Sequence, residues 1–139
     1  MTVKVVGCWE FGWSTPIMEY DLWHFTMRDF VVDEWLMTPV SGIRQQQVAE
    51  RPFLQDVLLE NPSLTPIYCD ENGEADLASF SHPEDCLYIF GKASFSPWIA
   101  AGSPVGASLR IDTPSTKKGL LWPHQCAAII LYDRYIKSL

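Results

Sequence analysis

At 139 residues the chain has the length of a single domain, and a chain of this size buries about two thirds of its unfolded surface without disulfide or metal staples. With 47% apolar and only 19% charged residues, six of them tryptophan among the apolar set, it is no disordered tail, and no apolar run approaches the roughly 18 residues of a membrane span. Ten basic against 17 acidic residues leave a net charge of −7, which argues against a broad basic face for gripping nucleic acid.

The amino terminus lacks the basic start and long apolar core of a signal peptide, so a soluble, cytoplasmic protein is expected. Cys8, Cys69, Cys86 and Cys126 form no Cys-x-x-Cys pair and have no histidine at finger spacing, so no metal site is expected, and the thiols read as reduced and mostly buried.

In chain order, Val3–Cys8 is a β-branched run and reads as the first strand. From Thr15-Pro16 the pattern becomes helical: Thr15 can cap, Pro16 suits a first turn, and Tyr20, Trp23 and Met27 repeat at helical spacing. Residues 34–37 read as a short strand closed by Pro39 and Gly42. Residues 45–61 read as a second helical stretch, with a possible break near Pro52. Thr65–Cys69 is a strand ended by the turn signal Asp70-Glu71-Asn72-Gly73, and a short helix is predicted over 76–80. Cys86–Phe90 is the most strand-like run, residues 108–111 the last short strand, and 125–139 a terminal helix.

Strands alternating with helices predict one α/β domain over residues 1–139, with a mostly parallel sheet flanked by helices. Ligands of such sheets bind beyond the carboxyl ends of the strands. The loops there are rich in Gly, Pro, Ser and Thr, as ligand loops are, although they also serve simply to turn corners. No Walker A loop, Gly-x-Ser-x-Gly elbow or Gly-x-Gly-x-x-Gly fingerprint is present, which removes nucleotide hydrolysis, serine hydrolase and dinucleotide-dehydrogenase readings.

Among polar residues, Glu10 sits between Trp9 and Phe11 after the first strand, where a raised pKa would suit a base; the same carboxylate could equally face solvent. His124 opens the last helix and is a candidate proton acceptor or a packing residue. Lys117-Lys118 is a paired basic site on a loop, fit for a phosphate or for solvent. His24 and His82 receive no role. The aromatic cluster Trp9, Phe11, Trp13, Tyr20, Trp23 and Phe25 exceeds what one strand and helix readily bury, and reads as core plus dimer contact, with base stacking a third option.

Three motifs in order and spacing resemble the SPOUT class, the α/β-knot RNA methyltransferases of the SpoU kind. They are His82-Pro83-Glu84-Asp85-Cys86-Leu87-Tyr88-Ile89-Phe90-Gly91, Leu109-Arg110-Ile111-Asp112-Thr113-Pro114, and Cys126-Ala127-Ala128-Ile129-Ile130-Leu131-Tyr132-Asp133. The resemblance implies a trefoil knot near the carboxyl terminus, a homodimer, an RNA substrate (tRNA or rRNA) and an S-adenosylmethionine pocket. By match, that pocket uses Tyr68, Asp70, Gly91, Lys92, Ile111, Pro114, Leu120 and Leu121, largely through backbone groups. Gly91 would suit a cofactor pressed against main chain, and Asp70 could accept from ribose hydroxyls or serve only as a turn residue.

This chain carries Lys92-Ala93-Ser94 where the family has an acid, Leu120-Leu121-Trp122 where it has Ser-Leu-Asn, and Phe25 where a first-helix arginine is expected, with Arg28 one turn later. Glu10, Arg28 and His124 are therefore the candidates for positioning the nucleophile or removing its proton. The alternative is a catalytically degenerate knot-fold protein that acts as a binding or scaffold dimer.

Overall fold

A computed structural model describes residues 1–8, 16–41, 48–92, 95–114 and 121–139, without the side chains of residues 16–19. Seven strands form one all-parallel sheet: β1 Val3–Cys8, β2 Glu34–Thr38, β3 Ala49–Glu50, β4 Thr65–Cys69, β5 Ala75–Asp76, β6 Cys86–Phe90 and β7 Ser108–Arg110, in the spatial order β3-β2-β1-β6-β4-β7-β5. The helices are α1 Pro16–Asp29, α2 Leu54–Glu60, α3 Pro97–Ala100 and α4 Pro123–Lys137, with one 3-10 turn at Leu77–Ser79. The expected parallel α/β domain is the one observed.

The strand pattern follows from burial on both faces, which removes the need for polar alternation. All five residues of β6 are buried, with β1 on one side and β4 on the other. Val5 and Ile67 lie opposite Tyr88 and turn with it to one face, where α1 and α4 supply Trp23, Met27, Ala127, Ile130 and Leu131. Val6, Tyr68 and Ile89 turn to the other face, covered by Val57 of α2 and flanked by Trp98 of α3. Trp23 stacks near Trp35 and sets its edge against Phe90, so part of the aromatic cluster is core.

The stretch predicted as helix over 45–61 is corrected. Residues 45–47 lie outside the described residues, Ala49–Glu50 pairs with Leu36 and Met37 as β3, and only Leu54–Glu60 is helical. Pro52 provides the reason, because it has no N–H to give a helix and holds the residue before it extended. Asp56 accepts from the Phe53 N–H at 3.1 Å to start α2, and the Asn61 amide donates to the Val57 carbonyl at 2.8 Å to end it. The helix expected over 76–80 is the single turn at Leu77–Ser79, with the Asp76 side chain as its cap.

α1 closes with two turn bonds, from the Val31 N–H to the Arg28 carbonyl (3.2 Å) and from the Val32 N–H to the Met27 carbonyl (3.1 Å). This pattern places Val31 at φ 54°, a left-handed position that normally falls to glycine. α1 thus returns across the sheet, and its last turn lies beside the start of β1, where the Asp33 N–H donates to the Val3 carbonyl. No described helix is long and apolar enough to cross a membrane.

All four cysteines are free thiols. Burial pushes Cys8 up to about 12, with a Thr38 hydrogen bond opposing, and Cys126 up to about 11. They are packing residues and not nucleophiles at neutral pH.

Candidate functional site at the carboxyl edge of the sheet

Three neighbouring strands, β6, β4 and β7, release their loops side by side on the carboxyl edge, and α4 begins there as well. The sequence-derived residues Tyr68, Asp70, Gly91, Lys92, Ile111, Pro114 and Leu121 are brought to this edge. Leu120 and Glu10 lie outside the described residues, as do Lys117 and Lys118.

The loop after β4 is tied in from both sides. The Asp70 N–H donates to the Leu109 carbonyl at 2.9 Å, and its carboxylate accepts from the Asn72 N–H at 2.9 Å and from the Ser96 hydroxyl. Ser96 in turn caps α3 by accepting from the Ile99 N–H. Asp70 is therefore a turn residue in fact, while each of its oxygens, accepting one bond, retains capacity for another donor. Sequence reasoning missed Ser96, although Ser-Pro at a helix start was a readable signal. Gly73, buried in the same loop, has Leu109 backbone atoms 2.5–2.8 Å from where a Cβ would lie, so the loop presses directly on β7.

Beyond β6, Lys92 and Phe95 exchange backbone hydrogen bonds of 3.1 and 2.9 Å. These bonds bring Phe95 back over Gly91. A Cβ there would stand 2.3 Å from the Phe95 carbonyl oxygen and 2.4 Å from the Pro97 ring. The protein's own loop thus accounts for the glycine. Tyr68 is buried in the core below, and burial raises its phenol, so at the edge it offers backbone. Its N–H donates to the Ala107 carbonyl at 2.7 Å.

After β7, Arg110 donates to the Gly73 and Glu74 carbonyls and to Asp112, so its charge is committed to holding the two loops together. Ile111 and Leu121 are half-buried and apolar, and Pro114 is exposed. In the first turn of α4, Cys126 packs with Cys69 against the common core, which sets this helix start over the end of β4. Trp122 is the N-cap, its N–H donating to Gln125 Oε1 at 2.8 Å, and its ring meets His124 at a steep angle with centroids 6.1 Å apart.

Arg28 is not brought to this edge. It lies in the last turn of α1, at the opposite end of the strands, paired with Asp29 at 3.3 Å and set 4.9 Å over the Phe25 ring. That amino edge also holds a groove of about 890 Å³ walled by Phe30, Phe80, Leu131 and Tyr135. Its polar floor is spent internally. Arg134 Nη1 donates to the Tyr88 hydroxyl (3.1 Å) and the Pro83 carbonyl, the Tyr88 hydroxyl meets His82 Nδ1 (2.7 Å), and His82 Nε2 meets Asp133 (2.7 Å). Lys137 closes the set on Asp133 and the Leu77 and Phe80 carbonyls. Because the Asp133 carboxylate can only accept, Nε2 carries the proton and Nδ1 accepts from Tyr88.

Among the described residues the carboxyl edge offers backbone donors and acceptors, the Asp70 carboxylate with further acids in the same loops, and apolar flanks. Among the described residues no three His, Cys, Asp or Glu gather as for a metal ion. Such an edge suits a ligand with an apolar ring and hydroxyl groups better than a polyanion.

No protein-family model and no curated protein matches this sequence. Solved structures do match in fold. A protein studied for the 2-OH methylation of C/U34 on tRNA superposes with TM-score 0.74 at 12% identity, over 99% of this chain and 97% of that one. An RNA 2'-O ribose methyltransferase gives TM-score 0.77 at 13% identity, over 99% of this chain and 57% of that one. The SpoU methyltransferase AviRb from Streptomyces viridochromogenes, solved in complex with AdoMet, gives 0.74 at 15%, over 99% and 58%. The chain thus has the SpoU methyltransferase fold across its whole length. At these identities the likeness establishes the fold.

Proposed function

We infer that this SpoU-fold chain is an S-adenosylmethionine-dependent RNA methyltransferase that works as a homodimer in the cytoplasm, its carboxyl-terminal segment threaded through the trefoil knot of that class. The observation that carries the reading is the convergence of the β6, β4 and β7 loops and the α4 start on one edge of a fold shared with RNA methyltransferases, one of them solved with AdoMet. Exposed apolar residues on the outer faces of α1 (Leu22, Phe25) and α4 (Ile129, Tyr132, Ile136), two helices packed together, support the dimer. Free thiols suit a reducing compartment.

The residues present fit the cofactor. Asp70 would accept from the ribose hydroxyls; backbone groups of Gly91 and Lys92 and the loop from Ile111 to Pro114 would line the pocket; Leu120, Leu121 and Ile111 would flank the base. Bound S-adenosylmethionine supplies an activated methyl group with a good leaving group, so the protein contributes mainly orientation of the RNA nucleophile. His124, on the same edge, would take the nucleophile's proton, with Glu10 the further candidate. Arg28 would serve a cleft only from a second copy of the chain.

Calorimetric titration with S-adenosylmethionine and S-adenosylhomocysteine, run beside a sizing column, tests the reading. Micromolar binding to a dimer is expected. No detectable binding at millimolar ligand would overturn it.

A further inference from the structure

Asp70 is held more closely than a turn requires. Its N–H donates to the Leu109 carbonyl, and its carboxylate Oδ2 accepts from the Asn72 N–H at 2.9 Å, which already closes the turn after β4. The Ser96 hydroxyl adds a bond to the other oxygen, Oδ1, from 26 residues away in the chain. Ser96 is itself fixed. It accepts from the Ile99 N–H at 3.2 Å as the N-cap of α3, and the ring of Pro97, next in the chain, lies against Gly91. The carboxylate is thus pinned at both oxygens, at Oδ2 from the loop after β4 and at Oδ1 from the loop after β6.

Such fixing has a cost and a use. Ordering a side chain costs conformational entropy, and a ligand that meets it already ordered is spared that cost. Both groups that hold the carboxylate are neutral donors, while Arg110 on the neighbouring loop is committed to the Gly73 and Glu74 carbonyls and to Asp112. A carboxylate held in this way, with acceptor capacity left on each oxygen, repels phosphate and takes hydroxyl donors. Two acceptors at a fixed spacing suit a vicinal diol, the feature of a ribose with both hydroxyls free.

We propose that Ser96 is a positioning residue, its hydroxyl orienting the Asp70 carboxylate to accept from the two ribose hydroxyls of the cofactor, so that the loops after β4 and β6 recognise the ribose together. This rests on the reading of the chain as an S-adenosylmethionine-binding protein and deepens it by adding to that pocket a residue outside the sequence match.

The test measures by calorimetry the affinities of the wild type, S96G, S96T, D70A and the double variant D70A/S96G for S-adenosylhomocysteine, for its 2′,3′-dideoxy analogue and for adenosine, with a urea midpoint for each protein. Glycine serves nearly as well as serine at an N-cap, so S96G removes the hydroxyl and spares α3. The wild type is expected to prefer S-adenosylhomocysteine over the dideoxy analogue. S96G should lose about 3- to 10-fold for S-adenosylhomocysteine, the cost of ordering one side chain, with little change for the dideoxy analogue and no further loss in the D70A background. S96T keeps the hydroxyl and regains the wild-type affinity. Unchanged S-adenosylhomocysteine affinity in S96G would overturn the proposal. So would a wild type indifferent to the ribose hydroxyls, or a loss in S96G that is equal for the dideoxy analogue or persists in the D70A background, since each marks a structural role only. Adenosine binding that depends on Ser96, without any S-adenosylhomocysteine binding, would keep the positioned carboxylate and remove the methyl-transfer reading instead. A wild type that binds neither ligand would overturn both.

Discussion

Replacing Gly91 by alanine puts a methyl group 2.3 Å from the Phe95 carbonyl oxygen and 2.4 Å from the Pro97 Cδ, where ordinary contact begins near 3.4 Å. Phe95 and Pro97 must retreat by about 1 Å, because the backbone oxygen and the ring of a residue at the start of α3 have no rotamer with which to yield. Such a retreat strains both reciprocal bonds between Lys92 and Phe95, each contributing about 1 kcal/mol. Overpacking of this kind costs about 1–3 kcal/mol, and the reduced freedom of the unfolded chain returns about 0.4–1 kcal/mol. A net loss of about 1–2 kcal/mol is expected. With an m-value of about 2 kcal/mol/M, the urea midpoint should fall by about 0.5–1 M at unchanged m. Because the same turn borders the proposed pocket, affinity for S-adenosylhomocysteine should fall at least about tenfold in calorimetry, since a misplacement of this size spoils several contacts at once. An alanine variant with the wild-type midpoint and the wild-type affinity would refute the account of both the turn and the pocket.

Val31→Gly should act in the opposite direction. A left-handed β-branched residue costs about 1–2 kcal/mol, the side chain is 83% exposed, and the flexibility of glycine in the unfolded state takes back part of the gain. A rise of about 0.5–1 kcal/mol in unfolding free energy is expected, and a fall would show that Val31 is covered by something outside the monomer. For His82, 5% exposed in its side chain, burial lowers the imidazole from 6.5, against the opposing pull of Asp133. The unfolded chain then binds a proton that the folded one resists, so stability is full above about pH 6.5 and declines as pH falls from there toward the lowered value. Asp133 is raised by burial but lowered more by hydrogen bonds from His82 and Lys137, so its contribution disappears only below the ordinary carboxylate range. Denaturation at pH 7.5 and 5.5 should show that decline in the wild type and a flatter profile in His82→Gln; equal profiles would remove His82 as its source.

β1, β4 and β6 were legible because each is a compact apolar run ended by Gly, Asn or Pro signals, and burial on both faces asks for nothing more. β3 and β5 are two residues each and carry no period to read, so the stretch before Pro52 passed for helix although Pro52 itself signalled the break ahead of the seven-residue α2. The loops of the candidate site were readable through Gly91, Asp70 and Pro114, since turn chemistry is local. The placement of Arg28 was also within reach, because a helix following a strand returns across the sheet and ends at the opposite edge. The chain from Arg134 through Tyr88 and His82 to Asp133 was not, because its members lie up to 51 residues apart and only the fold brings them together.

That polar chain has a mechanical meaning. It fastens the carboxyl half of α4 to the start of β6 and the loop before it, whereas the first turn of the same helix meets the sheet through the apolar contacts of Cys126 and Ala127. Fifteen residues make a rod of about 22 Å, so a tilt of about 5° about the fastened end displaces the other by about 2 Å. A shift of the fastened end near His82 would thus be carried along α4 to Trp122 and His124 at the carboxyl edge.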